Sequence, residues 1–527
     1  RISAAVAVAG AAASSTLAGN WLREATRGKP SAGVSVAWTS SGEPSVLGSQ
    51  RRWPRRRKDQ PPPYPPAAVP QLDSQCFPVR IEDTWYDLSG WMHRHPAGRH
   101  VIGFYRGRDA TEALQAFHGD RVRQAVGRFP RLEPADLATA AGASGEDAAA
   151  APPTSELTRA FRRLGARLRS EGWWERDLGQ EATWLAIWAL LLVSGMALAH
   201  QSGWLSGLAV LPLTLAFVSG AWLGHDYDHG VDSVCRGMRL FAPLAIGISP
   251  SWWSDKHNKH HALTNQMGAD PDLAMPPLFL WPPHPRDDSP FRALQHCWYP
   301  LGCASIFFTW RVRSLLHVAS AVRDGRQGAW AEAAALGVHW AVLLATVPLP
   351  LLVASVAFAG LICGFILMTS HLGEELYGDF QHDWVSAQVR ATRGAVTRTA
   401  FTEWLWGGMQ YHLEHHLFPS MPRSRYPRLR EELQRFVALH DIPGGYRLDD
   451  EAVIFARTWE KLRSVAVAPG GGLDAPRLRD DVAPTGLDYQ PPPAPAPAPH
   501  SAPPPPPPPP PHPVPRFSPR RSVAAAA

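Results

Sequence analysis

Four apolar stretches in two tight pairs decide most of what this 527-residue chain can fold into. ATWLAIWALLLVSGMALAH (182–200) and WLSGLAVLPLTLAFVSGAWLG (204–224) are separated only by Gln201, Ser202 and Gly203. EAAALGVHWAVLLATV (332–347) and LLVASVAFAGLICGFILMTS (351–370) are separated only by Pro348, Leu349 and Pro350. About 20 apolar residues cross a bilayer core as a helix. Two helices joined by so short and uncharged a turn must lie antiparallel, so each pair reads as a transmembrane hairpin. Buried helices of a soluble protein are the alternative, and they leave two uncharged turns unexplained.

Charge then orients the hairpins. RAFRRLGARLR precedes the first, WRVRS and VRDGRQG precede the second, and neither turn carries Lys or Arg. By the positive-inside rule both turns lie on the far side of the membrane and everything else faces the cytosol. The net charge of +6 fits the same picture. The basic residues cluster at the ends of apolar segments rather than in an aromatic-interleaved stripe, which favours a membrane surface over nucleic acid. The five cysteines, Cys76, Cys235, Cys297, Cys303 and Cys363, are scattered and form neither a disulfide framework nor a zinc ribbon.

The histidines gather where the spans return to the cytosol. His225 and His229 leave the second span as an i, i+4 pair. His257, His260 and His261 follow in the next loop, and His412, His415 and His416 repeat their i, i+3, i+4 spacing beyond the fourth span. That spacing puts three rings on one helical face. With 22 histidines in the chain one such cluster is a mild coincidence, but three clusters on one membrane face are not. His371, at the cytosolic end of the fourth span, is a ninth candidate. Eight or nine imidazoles exceed the needs of one metal, and ligation without thiolates suits redox-active iron better than structural zinc. Asp226, Asp228, Asp255 and Glu414 sit beside these histidines and are candidates to orient the second ring nitrogens.

H-x3-H, H-x2-H-H and a third x-x-H-H box, divided between two hairpins, resemble the membrane fatty acid desaturases. SWWSDKHNKHHALTNQMGADPDL, DWVSAQVRATRG and WLWGGMQYHLEHHLFPSMPR are similar to the front-end branch of that family, which carries an N-terminal cytochrome b5 domain. The resemblance covers roughly residues 75 to 445. It implies a mainly α chain: a four-span helical membrane fold with a cytosolic histidine cap that holds two non-haem irons, plus a small α+β haem domain. His225, His229, His257, His260, His261, His412, His415 and His416 are the implied catalytic metal ligands, with His371 added to the metal set. Front-end relatives usually carry Gln where this chain has His412.

The haem domain can be sought independently. WYDLSGWMHRHPAGRHVIGFYRGRDATEALQAFHG holds His95 in H-P-A-G and, after a helical pattern, His118. Two axial imidazoles on a b-type haem leave no open position, which means electron transfer. The family motif is H-P-G-G, and Ala97 stands in place of its first glycine. If that position needs a positive φ, alanine costs on the order of 1 kcal/mol.

The expected organisation is a disordered or transit-like segment at 1–71, a cytochrome b5-like domain at 72–137 and a linker at 138–156. The desaturase domain follows at 157–448, then a C-terminal extension at 449–489 and a Pro-rich disordered tail at 490–527. The first segment is rich in Ala, Ser, Gly and Arg like an organellar transit peptide. It begins with Arg1 rather than Met, which fits a truncated start equally well. Expected partners are a fatty acyl lipid or acyl-CoA, O2, NADH-cytochrome b5 reductase and the membrane, with no nucleic acid. The endoplasmic reticulum is the expected compartment and a chloroplast membrane the alternative. Three other activities share parts of this pattern: a Δ8 sphingoid-base desaturase, a lipid hydroxylase and a non-catalytic cytochrome b5 carrier.

Overall fold

The computed structural model describes residues 76–92, 95, 102–133, 154–267, 269–273, 294–378 and 380–467. The expected leader at 1–71, the Pro-rich tail at 490–527 and Ala97 lie outside the described residues.

A small α+β unit comes first. β1 (Pro78–Ile81) pairs antiparallel with β2 (Thr84–Asp87), Val79 opposite Tyr86. Phe77, Val79, Ile81, Tyr86, Leu88 and Tyr105 form its core. α1 (Thr111–Phe117) starts where Asp109 Oδ1 accepts from the Thr111 N–H, and it ends at His118, whose backbone is extended. α2 (Asp120–Val126) follows directly.

α3 (Glu156–Ser170) is amphipathic: Phe161, Leu164 and Leu168 are buried while its arginines line the other face. Ser155 caps it by accepting from the Thr158 N–H. α4 (Leu178–Ala199) is capped by Asp177 and has 22 residues, about 33 Å at 1.5 Å per residue. Leu190 and Val193 on it are 67 % and 63 % exposed, and only 11 % of its apolar window is buried. A helix this apolar with its side chains facing outward needs lipid as its solvent. The returning span opens as a 3-10 turn, Gly203–Ala209, and continues as α5 (Val210–His229). Pro212 falls in the first turn of α5, where its missing N–H costs nothing.

Two helices stand where a histidine-bearing loop and a basic flank are expected. α6 (Pro250–Ala262) carries the second histidine box; Ser249 accepts from the Trp252 N–H and Pro250 stands at the first helical position. α7 (Gln295–Arg323) has 29 residues and contains WRVRS, read from sequence as a basic flank. Its charges do not spoil the helix because they divide between environments: Arg311 is buried and Arg313 is exposed. α8 (Ala329–Thr346) and α9 (Leu349–Thr369) form the second hairpin. α7 packs on α9 along Gly360 and Gly364. A Cβ on Gly360 would lie 2.9 Å from the Ala304 carbonyl oxygen, and one on Gly364 would lie 2.8 Å from Cys303 Cβ. Only glycine lets these backbones approach so closely. The described residues thus contain four helices long and apolar enough to cross a membrane, at the expected places.

Beyond the fourth span α10 (Trp384–Ala391) leads to β3 (Gly394–Val396), then to α11 (His412–Leu417) and α12 (Tyr426–Leu439). β4 (Leu448–Asp450) pairs parallel with β3, and α13 (Glu451–Val467) packs on α7 and α9. The result is a cap of short helices over one end of the spans.

Candidate metal centre

All nine box and box-adjacent histidines converge in this cap. His225 and His229 come from the end of α5, His257, His260 and His261 from α6, His371 from just beyond α9, and His412, His415 and His416 from α11. Each is at least 90 % buried. Two groups have ring nitrogens close enough to share an ion: His225, His229, His257, His261 and His415, and separately His260, His371 and His416. His412 joins the second group, its Nε2 lying 2.9 Å from His371 Nε2.

The tautomers of the second group explain what the arrangement is for. His260 Nδ1 is 2.9 Å from an Asp270 oxygen, His371 Nδ1 is 2.8 Å from the Ala391 carbonyl, and His416 Nδ1 is 2.9 Å from the Gln388 Oε1. Each of these acceptors requires an Nδ1–H donor, so each Nε2 carries a lone pair. Yet His371 Nε2 lies 3.2 Å from His260 Nε2 and 3.0 Å from His416 Nε2. Buried lone pairs facing one another at this distance are the arrangement that a bound cation satisfies. Metal–nitrogen bonds of about 2.1 Å at right angles put neighbouring nitrogens roughly 3.0 Å apart. In the first group His257 Nε2 is 3.1 Å from both His225 Nε2 and His261 Nε2. The donor set therefore fits two metals, all imidazole, with no thiolate.

Electrostatics keeps these rings neutral. Burial, then the neighbouring histidines, hold His257, His261, His412, His415 and His416 well below the usual histidine value. Burial and His260 push His371 down to about 3. His260 is the exception: burial opposes its charge, but Asp270 and Asp272 outweigh that and raise its pKa. Neutral imidazole is the form that binds a metal.

The orienting groups differ from those suggested by sequence. Asp226 is taken by Arg423 at 2.9 Å, Asp255 pairs with Lys259, and Glu414 accepts from Tyr446 Oη. The acceptors that fix ring tautomers are Asp270, Gln388 and the Ala391 carbonyl. Asp270 lies ten residues beyond His260, outside the carboxylates that sit beside the boxes in sequence. Gln388 and Ala391 reach the rings only because α10 packs beside the histidine helices, which nothing in the local pattern reveals.

His95 and His118 form a separate pair in the α+β unit, ring centres 6.1 Å apart. Two metal–nitrogen bonds of about 2 Å on opposite sides of one iron separate ring centres by roughly 6.4 Å, so the pair fits an axially ligated haem. Burial lowers the His118 pKa and favours its neutral form. This unit rests against α6: Tyr105 Oη donates to the Ala262 carbonyl at 3.2 Å, and Ala262 and Leu263 belong to its core.

A cavity of about 250 Å³ lies between α6, α7 and α9. His257, His260, His371 and His412 are on its wall, and Trp252, Trp310, Ile306 and Leu367 supply apolar surface. A slot of this lining suits an alkyl chain and borders the histidine cluster.

Residues 202–446 match the fatty acid desaturase family model, and residues 73–132 match the cytochrome b5-like heme/steroid binding domain model. The chain carries a fatty acid desaturase domain behind a cytochrome b5-like domain. The desaturase is 27 % identical to the Delta(6)-fatty-acid desaturase of Caenorhabditis elegans over 442 residues, 74 % of this chain and 96 % of that protein. It is 26 % identical to the Delta(8)-fatty-acid desaturase of Euglena gracilis over 426 residues, 73 % and 96 % of the two chains. It is 25 % identical to the acyl-lipid (9-3)-desaturase of Physcomitrium patens over 433 residues, 76 % and 77 % of the two chains. The desaturase is an oxidoreductase integral to a membrane, with a haem domain fused ahead of a histidine-rich centre that fits two irons.

Proposed function

We propose that this desaturase is a front-end enzyme, placing a new double bond between an existing one and the carboxyl end of a fatty acyl chain. The observation that carries the reading is the cavity: an apolar slot whose wall includes histidines from both groups. The names of the Delta(6), Delta(8) and (9-3) relatives support the branch.

In this reading His225, His229, His257, His261 and His415 hold one iron, and His260, His371, His412 and His416 hold the other. His95 and His118 hold haem b. When bound, iron supplies the power to abstract hydrogen from an unactivated methylene pair using O2, and haem supplies one-electron transfer. Overall, two hydrogens leave the chain, two electrons and two protons enter, and O2 leaves as two waters. The protein's own work is to bind and position. Trp252, Trp310 and Ile306 hold the alkyl chain by apolar burial and keep bulk water out, while Asp270 and Gln388 hold the His260 and His416 Nδ1 protons. In this reading electrons come from NADH through cytochrome b5 reductase, and the enzyme sits in the endoplasmic reticulum membrane with its histidine cap facing the cytosol, a chloroplast membrane being the alternative.

The test is expression in yeast fed a panel of polyunsaturated fatty acids, with mass spectrometry of total lipids and a His415→Ala control. The expected result is a new double bond on the carboxyl side of an existing one, absent from the control. A hydroxylated product, or unsaturation confined to sphingoid bases, overturns the reading. So does an unchanged lipid profile from membrane-inserted, haem-loaded protein across the whole panel.

A further inference from the structure

Phe117 joins the two redox-capable regions. It is the last residue of α1 and precedes His118 in the chain. Its ring meets that of His261 edge-on, with centres 6.1 Å apart and planes at 81°. It packs against two cores at once, the one around Val79 and Tyr105 and the one around Phe161, Leu417 and Phe418.

Contacts on either side hold this junction in place. Arg162 on α3 donates to Glu112 of α1 at 2.6 Å and to Asp109, just ahead of α1, at 3.1 Å. Tyr105 ties the haem domain to the Ala262 carbonyl, the residue after His261. The Arg162 and Glu112 side chains are 17 % and 8 % exposed, so the pair is largely screened from water. His261 Nδ1 has no hydrogen-bond acceptor, so in place of a carboxylate or carbonyl the ring has an aromatic neighbour from the haem domain. One peptide unit and one ring contact therefore separate His118 from His261.

We propose that Phe117 is the contact through which electrons leave the haem domain for the metal centre. This rests on the desaturase reading above. One electron would move in each event, oxidising by one unit a haem held by His95 and His118 and reducing by one unit a ferric ion held by the histidine cluster. No bond or proton changes at Phe117. NADH, through the reductase, restores the ferrous haem. An aromatic ring serves the path because its delocalised electrons extend to the edge-on contact with the imidazole; an aliphatic side chain of similar size fills the junction without them. Phe117 is thus a positioning residue, acting through His118 and His261.

The experiment uses full-length enzyme with both cofactors, reduced and then mixed rapidly with O2 and an accepted acyl substrate while ferrous-haem absorbance is followed. His415→Ala sets the background of direct haem oxidation. Phe117→Leu is expected to slow reoxidation on the order of tenfold, equivalent to about 1.4 kcal/mol of barrier. Phe117→Tyr is expected to stay within about twofold of wild type. Haem absorbance, iron content and haem reduction by the reductase should be unchanged in both. Equal rates in Phe117→Leu and wild type overturn the proposal, and so does equal slowing by Leu and Tyr, which points to packing rather than the ring. If Phe117→Leu loses haem, Phe117→Met takes its place in the comparison; haem loss there as well assigns the ring to the haem pocket and defeats the proposal. Product formation by wild type in the same preparation judges the desaturase reading separately. A wild type without product defeats that reading, whereas an active wild type beside an unslowed Leu variant defeats only the role of Phe117.

Discussion

The Nε2 atoms of His371 and His412 lie 2.9 Å apart although the residues are 41 positions apart in sequence. His371 belongs to none of the three boxes, yet its Nδ1–H is held by the Ala391 carbonyl and its lone pair faces His260, His412 and His416. His371→Ala should therefore lower iron from two toward one per chain and reduce desaturation on the order of a hundredfold or more. Metal analysis of the purified variant decides the point; two irons retained would show that His371 only packs beside the site.

His412 stands where front-end relatives usually carry Gln. An amide oxygen also offers a lone pair, and His260, His371 and His416 remain around the same point. His412→Gln is expected to keep two irons and to retain activity within roughly tenfold of wild type. Loss of one iron from this variant would mean that the chain has come to depend on imidazole at that position.

Much of this site could be read from the sequence because spacing on a helix is local. His257, His260 and His261 lie on one helix, and the hairpins fix which membrane face they reach. His371 was recognisable only by its place at the end of a span. The residues that orient the rings were harder to see. Gln388 reaches His416 across 28 positions, and Ala391 reaches His371 across 20 through a backbone carbonyl that has no sequence signature. α7 was hidden for another reason. Its apolar run ends in Arg311 and Arg313, which resemble the polar flank of a span, but only tertiary packing decides that Arg311 is buried and the helix continues. Phe117 stands in the haem-domain stretch within a helical pattern, and nothing local says that its ring reaches His261.

Asp270 holds the His260 Nδ1 proton and is itself 3 % exposed. Carboxylates placed this way fix the tautomer of a metal-binding imidazole and raise its basicity, and removing one typically costs 10- to 100-fold in metal affinity or activity. Asp270→Ala is expected to weaken iron retention by that order. Asp270→Asn, which keeps an acceptor without the charge, should fall between the two. Iron loss under graded chelator concentrations ranks the three proteins; an Asn variant indistinguishable from Ala would assign the whole effect to charge.

Glu112 gives the domain junction a pH dependence of predictable sign. Burial raises its pKa above the usual glutamate value, although Arg162 pulls the other way, and Asp109 adds to the upward shift. The folded protein therefore binds this proton at a higher pH than the unfolded chain does. By linkage, stability from this group is greatest below the unfolded value and declines as pH rises to the folded value. Glu112→Gln has no such charge to bury. Its melting temperature relative to wild type should shift in its favour as pH rises through that window, and should hold constant above it. Melting of the full chain followed by haem absorbance at several pH values measures the difference. A difference that moves in the wild type's favour with rising pH would contradict the sign.

Ile306 lines the cavity from α7 and is only partly buried, so a larger side chain there can grow into the slot without breaking the close packing of α7 on α9. That packing runs through Cys303 and Ala304 against Gly360 and Gly364, one turn away. Ile306→Trp should fill part of the 250 Å³ and shift the preference toward shorter acyl chains, while leaving both irons and the haem in place. Ile306→Val removes a single methylene and should change stability by about 0.5–1.5 kcal/mol with little effect on chain length. Competition between acyl chains of different length, scored by product mass, separates the outcomes. A Trp variant with unaltered preference would mean that the alkyl chain enters by another route.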